Sequence, residues 1–318
     1  MMQIERRQVM KVDEQKEGAI YAAISYMMWG IVPIYWKFLQ GVGAVEILAQ
    51  RVFWSFVFMM VLLVFMKKWR AFVEYVKKII GNPKLFAALL TASLLVTANW
   101  GVFIWAVNSG RILDTSLGYY INPLVSVLLG VIVLKEKLNR AQVMSFILAG
   151  IGVLILGIHF GTIPWVSLIL AITFGLYGLA KKMIKAESAV GLTLETMMVT
   201  PLALGYWIYL LFQSESQFFT SSGTSLLLMG GGIVTAIPLL YFAKGAEKVP
   251  LSMLGILQYI APTLTLLIGV FVYHESFTKA HLLAFIFIWS ALAVYTLSIT
   301  KWGKMGARRL KKNRNIGA

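Results

Sequence analysis

Ten apolar stretches, at about 18–38, 44–66, 85–107, 113–134, 141–158, 163–183, 191–212, 225–244, 251–273 and 280–300, constrain this chain more than any other feature of its sequence. Each is close to the roughly 20 residues that a helix needs to cross the hydrocarbon core of a bilayer. Inside lipid every backbone amide must find its partner within the segment, so such stretches are helices. The whole chain is 59% hydrophobic and only 13% charged, where an ordinary globular domain is about one quarter charged. A soluble fold has no means of covering its surface with so few polar side chains. The expected fold is an all-α polytopic membrane protein with ten transmembrane helices. The first stretch has no small-residue cleavage site and nine companions, so it is expected to be a span and not a removable leader.

Charge then orients the bundle. The chain has no cysteine, which excludes disulfides, thiolate metal sites and cysteine nucleophiles. Of 29 Lys and Arg residues, 25 fall in the segments that share a side with the two termini, and only Arg111 and Lys279 fall in loops of the other side. The positive-inside rule therefore predicts cytoplasmic termini and an inner-membrane location. Residues 1–17 form a cytoplasmic segment, and the basic tail 301–318 (KWGKMGARRLKKNRNIGA) is expected to lie against anionic lipid. The net charge of +16 does not point to nucleic acid, because no aromatic-basic module accompanies it.

A repeat sets the topology. The segment YINPLVSVLLGVIVLKE at 120–136 and the segment YIAPTLTLLIGVFVYHE at 259–275 share eight of 17 residues without a gap, at an offset of 139. Gly30 and Lys37 fall on Gly175 and Lys182 at an offset of 145. The chain thus divides into five-span units at 18–158 and 163–300. Because five is odd, the second must be threaded in the opposite sense. Two inverted five-helix repeats make bundles related by a two-fold axis in the membrane plane, able to rock and expose a midplane site alternately.

The connectors are short, as in helical bundles. In 67–84, Trp69, Phe72, Val73, Val76, Ile79 and Ile80 recur at helical spacing opposite lysines, which predicts an amphipathic interfacial helix. The Ser- and Thr-rich connector 213–224 (QSESQFFTSSGT) reads as the most mobile one.

Polar side chains within the spans mark the candidate site, since hydrocarbon turns them toward partners or a wet cavity. Thr115, Tyr119, Asn122 and Ser126 share one helical face, and Tyr120, Gln258 and Tyr259 extend the polar set into both repeats. They either line a solute path or hydrogen-bond helix to helix. Pro123 and Pro262 each withhold an amide, exposing the carbonyls of Tyr119 and Gln258 to a ligand or merely kinking the span. Tyr26 and Trp29 lie beside Gly30, Pro33 and Lys37 in span one, and Asn99 with Trp100 sits midway along span three, a pairing suited to aromatic or zwitterionic metabolites. Lys37 can snorkel to the headgroups. Arg51 lies about 10 Å below the outer boundary at 1.5 Å per residue, where a charge needs a partner. Asp114 is the first choice and Glu46 the second. Glu195 occupies nearly the corresponding place in span seven, with Lys182 or Lys181 as its partner, and is a structural pair, a gate or a proton-coupling acid. Trp36, Trp54, Trp165 and Trp302 read as an interfacial belt. Glu136 and Glu275 end their spans where a carboxylate can accept from the amides of the next helix. The glycines 230–232 fall inside a span and suit close helix packing.

Several of these blocks together resemble RarD-type permeases of the EamA branch of the drug/metabolite transporter superfamily. They are WGIVPIYWK (29–37), EILAQRVFWSF (46–56), NWGVFIWAVNSG (99–110), SLGYYINPL (116–124), LETMMVTPL (194–202) and LGILQYIAPT (254–263). The resemblance covers nearly the whole membrane region and implies two inverted repeats around a central cavity, with export of small metabolites or drugs. The expected partners are thus a small-molecule substrate, the bilayer and, as coupling ion, protons. A flippase for an amphipathic substrate is the alternative. An enzyme or sensor would need an acid, histidine or metal cluster at one depth, and His159, His274 and His281 offer no ligand spacing. No cofactor is expected.

Overall fold

The computed structural model describes residues 2–108, 112–160, 165–184, 186–272 and 278–314. The side chains of 2–12, 104, 107, 108, 112–114, 116, 160 and 299–314 fall outside the description. Asn108, Arg111, Asp114, Lys185, His274, Glu275, Trp302 and the basic tail from Lys301 therefore lie outside it, as does the N-terminal segment as far as Val12.

Among the described residues the chain is helical throughout. Helices α1 (Met2–Lys37), α2 (Ala44–Phe65), α4 (Pro83–Asn108), α5 (Ile112–Ile132) and α6 (Arg140–Phe160) supply the first five long elements. A short α3 (Trp69–Ile80) separates α2 from α4. Helices α7 (Trp165–Met183), α8 (Ser188–Phe212) and α9 (Ser222–Lys248) follow. The next span is divided into α10 (Leu251–Leu257) and α11 (Ile260–Val272), and α12 (Lys279–Arg314) ends the chain. Nine of these elements, counting α10 and α11 as one, are long and apolar enough to cross a membrane, and the apolar part of α5 (Leu117–Ile132) is the shorter tenth. Large apolar side chains such as Phe65, Ile158, Leu202 and Phe271 point outward, a surface that only lipid can cover. The chain is a multi-pass membrane protein.

Small residues set the closest approaches. A Cβ on Gly232 of α9 would fall 2.4 Å from the backbone carbon of Trp54 on α2, so only glycine lets these helices touch. Gly30 brings α1 onto α11, where a Cβ would sit 2.7 Å from Leu264 Cβ, and Gly175 brings α7 onto α5, 2.8 Å from Val125 Cγ1. Positions 125 and 264 differ by 139, and 30 and 175 by 145. The same correspondence governs polar crossings. Ser25 Oγ donates to the Pro238 carbonyl at 2.8 Å, joining α1 to α9. Asn99 Nδ2 donates to the Leu170 carbonyl at 2.8 Å, joining α4 to α7. Shifting 25 by 145 and 238 by −139 converts one pair of positions into the other.

The two segments that share the repeated sequence pack against each other. Tyr120 Oη, near the start of α5, donates to the Pro262 carbonyl at 3.4 Å. Gly130, near the end of α5, abuts the Ser252 amide at the start of α10, 3.2 Å from where its Cβ would be. Helix α5 and the α10–α11 segment therefore run antiparallel.

Three local expectations need correction. The α10–α11 break is more than a kink: Pro262 has no amide to give Gln258, and the Gln258 carbonyl is taken instead by the Ala261 amide at 3.2 Å, so that carbonyl is not left open. Glu136 does not cap the helix that follows it. Its carboxylate accepts from the Leu251 amide at 2.7 Å and the Ser252 amide at 2.9 Å, at the N-terminus of α10. Helix α6 is capped by Asn139 and Gln142, each side chain accepting from the other's backbone amide. The 213–221 connector is anchored, because buried Glu46 accepts from Ser216 Oγ at 2.6 Å and from the Gln217 amide at 3.0 Å. Phe218 is buried against Trp54 and Trp207. The amphipathic segment does form α3, with Phe72 and Ile79 turned inward toward α4 and α8.

Candidate functional site

A cleft of ≈ 300 Å³, its mouth included, lies where α2, α4, α7, α8 and α9 converge. Trp100, Ser55, Tyr177, Glu195 and Thr196 give it its polar and aromatic character, and Val96, Val199 and Leu239 fill the rest of the wall. The space enclosed inside it is only ≈ 10 Å³, room for about one water molecule. Both sequence halves contribute to it.

Glu195 is buried at 3% exposure and is held from two sides. Lys181 Nζ donates to its Oε1 at 2.8 Å, and Tyr177 Oη donates to Oε2 at 3.1 Å. Tyr177 and Lys181 stand four residues apart on α7 and so present to one face. Lys182 is not the partner: it is the half-buried neighbour of Glu136 instead. The role of Tyr177 was missed in the sequence, although its spacing from Lys181 was there to find.

Arg51 is placed differently. Its guanidinium carbon lies 4.1 Å from the centroid of a Trp100 ring and 5.2 Å from that of Trp36, and the Tyr119 phenol is within electrostatic reach. Nε is buried without a hydrogen-bond partner. Among the described residues no carboxylate forms an ion pair with it. Glu46, the second-choice partner, is engaged by the 213–221 connector. Trp36, read as an interfacial anchor, is a wall of the Arg51 site, and Trp54 is bonded to Gln50 Oε1 at 3.0 Å.

The remaining candidates divide. Tyr119 exposes 44% of its surface and meets Phe103 at 5.7 Å, between buried Gly118 and Tyr120. Asn122 is buried with Oδ1 unpartnered, and the Tyr259 hydroxyl is buried in the same condition. Gln258 is buried at the α10–α11 break. Tyr120 packs edge-on against Phe285. Tyr26 and Trp29 belong to an aromatic cluster with Phe174, Tyr177 and Phe242, which locks α1, α7 and α9 together. Asn99 Nδ2 donates to the Leu170 carbonyl and to Thr173 Oγ1 at 2.9 Å, so this amide joins α4 to α7. Lys37 is exposed at the end of α1.

Among the described residues no group of three His, Cys, Asp or Glu side chains is placed to hold a metal ion. Ten apolar spans around a narrow, mostly apolar cleft define a polytopic membrane protein. The chain belongs to the EamA-like transporter family, whose model matches it twice, at residues 16–158 and 162–297. It is 52% identical to a Bacillus subtilis protein named uncharacterized transporter YojE, over 91% of this chain and 96% of that one. It is 40% identical to protein RarD of Escherichia coli K12, over 91% and 96%. A Pseudomonas aeruginosa protein named chloramphenicol-sensitive protein RarD is 27% identical over 95% and 98%. A solved structure titled "Crystal structure of protein" matches with a TM-score of 0.69 at 16% identity, covering 90% of this chain and 99% of that one, a likeness of fold. The family and the Bacillus subtilis relative are both named as transporters.

Proposed function

We propose that this protein is a secondary transporter that exports a small organic solute by alternating access at the cleft between two inverted five-helix repeats, residues 18–158 and 163–300. The observation that carries the reading is the antiparallel packing of α5 against α10–α11, two copies of one sequence laid in opposite directions. Exchange of the halves maps the Ser25–Pro238 crossing onto the Asn99–Leu170 crossing, as two bundles built to one plan require. The charge distribution supports cytoplasmic termini in an inner membrane, with the basic segments against anionic lipid. In that orientation Lys68–Glu187 and the Glu136 cap of α10 tie the halves together at the cytoplasmic end. Lys181–Glu195 closes the cleft above them, and a proton delivered to Glu195 would release Lys181, which gives the coupling ion a place to act.

Flux into reconstituted vesicles, with a metabolite mixture and chloramphenicol as solutes and with or without a proton gradient, tests the reading. Asn122→Ala and Gln258→Ala should lower flux while insertion is unchanged. Equal flux in both variants removes those residues from the path, and no flux of any solute rejects transport.

A further inference from the structure

Arg51 is a half-buried cation with no carboxylate partner among the described residues. Two neighbouring helices of the first half bring an indole to this α2 guanidinium, Trp36 from α1 and Trp100 from α4, and the Tyr119 phenol of α5 is within electrostatic reach. The two indoles act on the guanidinium through their ring faces, which leaves its edge, a planar fork of N–H donors, for hydrogen bonding. Nε on that edge has no partner. On the preceding residue, which points to a different side of α2, the Gln50 amide nitrogen is also buried without a partner while its oxygen is taken by Trp54. Buried donors are almost always satisfied, and a charge at this depth is retained where it meets a substrate. Trp100 is shared: its ring carries the guanidinium and it also lines the cleft.

We propose that Arg51 binds the carboxylate of the transported solute, with Trp36, Trp100 and Tyr119 forming an aromatic collar around the solute's anionic end. The inference rests on the transport reading for its purpose but not for its chemistry, which is that of a carboxylate site. A planar carboxylate matches the guanidinium fork in two parallel hydrogen bonds; a phosphonate can make the same pair but brings a bulkier, more highly charged head into the aromatic collar. The substrate class is then small organic acids and zwitterions, not neutral or purely cationic compounds.

The test is thermal unfolding of the purified full-length protein in detergent, titrated with phenylacetate, indole-3-acetate and propionate, each against its own uncharged amide and against phenylphosphonate. A ligand that binds only the folded state raises the unfolding temperature in proportion to its affinity. The proposal expects at least one acid to stabilise the wild type where its amide does not, and to do so better than the phosphonate. R51Q should weaken that acid by roughly tenfold or more, the loss typical of a charged hydrogen bond, and R51K by less. D114N should leave acid binding in place. The proposal is overturned if no acid outperforms its amide, if the phosphonate alone binds, or if R51Q retains acid binding. It is also overturned if R51Q unfolds and R51Q/D114N is restored to wild-type stability without acid binding having changed, because Asp114 would then be the counter-charge. Vesicle flux separates the two claims: acid binding without flux of any acid keeps the site and rejects transport, whereas flux that is indifferent to R51Q rejects the site alone.

Discussion

Arg51 on α2 and the Glu195 region on α8 occupy nearly matching places in the two halves, and the protein treats the two charges in opposite ways. At the offset of 145, Gln50 falls on Glu195 and Arg51 on Thr196. Glu195 is closed off by an ammonium at 2.8 Å and a phenol at 3.1 Å. Arg51 is cradled by two indoles and left with an open donor. A charge that is fully satisfied within the fold holds the fold together, and one that is satisfied only by ring faces is held ready for something else. The contrast gives one half's charge an internal partner that holds the arrangement until a proton releases it, and leaves the other's for recognition.

That division can be broken by mutation. The largest effect is expected from Lys181→Met, which strands Glu195 in an apolar setting and should cost about 3–5 kcal/mol in unfolding experiments. Lys181→Met combined with Glu195→Gln should recover most of the loss. Next is Arg51→Gln, where removing an under-compensated charge offsets the lost cation–π contacts, so stability should change by only about 1 kcal/mol while solute flux falls at least several-fold. A large stability loss there would place Arg51 in the same class as Glu195 and erase the contrast. Tyr177→Phe removes one of the two bonds to Glu195 and should cost about 1 kcal/mol, seen as a lower unfolding temperature. The smallest effects belong to the matched neutral crossings: Ser25→Ala and Asn99→Ala should each cost about 0.6 kcal/mol, the average for a hydrogen bond between membrane helices, with solute affinity unaltered. Altered affinity in Asn99→Ala would return that residue to the solute path.

Much of this was legible in the sequence because spans and repeats are written in local composition. The ten apolar stretches, the small residues at 30, 175 and 232, and the amphipathic segment of α3 all follow from length and periodicity. Partners were the difficult part, because pairing across a bundle depends on which helices become neighbours. Glu136 reaches the N-terminus of α10, 115 residues away in sequence, where proximity in the chain had suggested α6. Glu46 was judged by its nearness to Arg51 and turned out to be needed by Ser216 and Gln217. Asn99 beside Trp100 looked like recognition, and only the approach of α7 shows its amide to be committed. Lys181 and Lys182 were indistinguishable until the rotation of α7 put one against Glu195 and the other near Glu136.

The account depends on α5 and α10–α11 being inverted copies, and the absence of native cysteine makes the sidedness of their first residues directly measurable. Single cysteines introduced as Ser109→Cys, ahead of α5, and Glu247→Cys, ahead of α10, would be challenged in intact cells with a membrane-impermeant maleimide. The account predicts that Ser109→Cys reacts from outside and that Glu247→Cys reacts only after the membrane is opened. Labelling of both from the same side would contradict it.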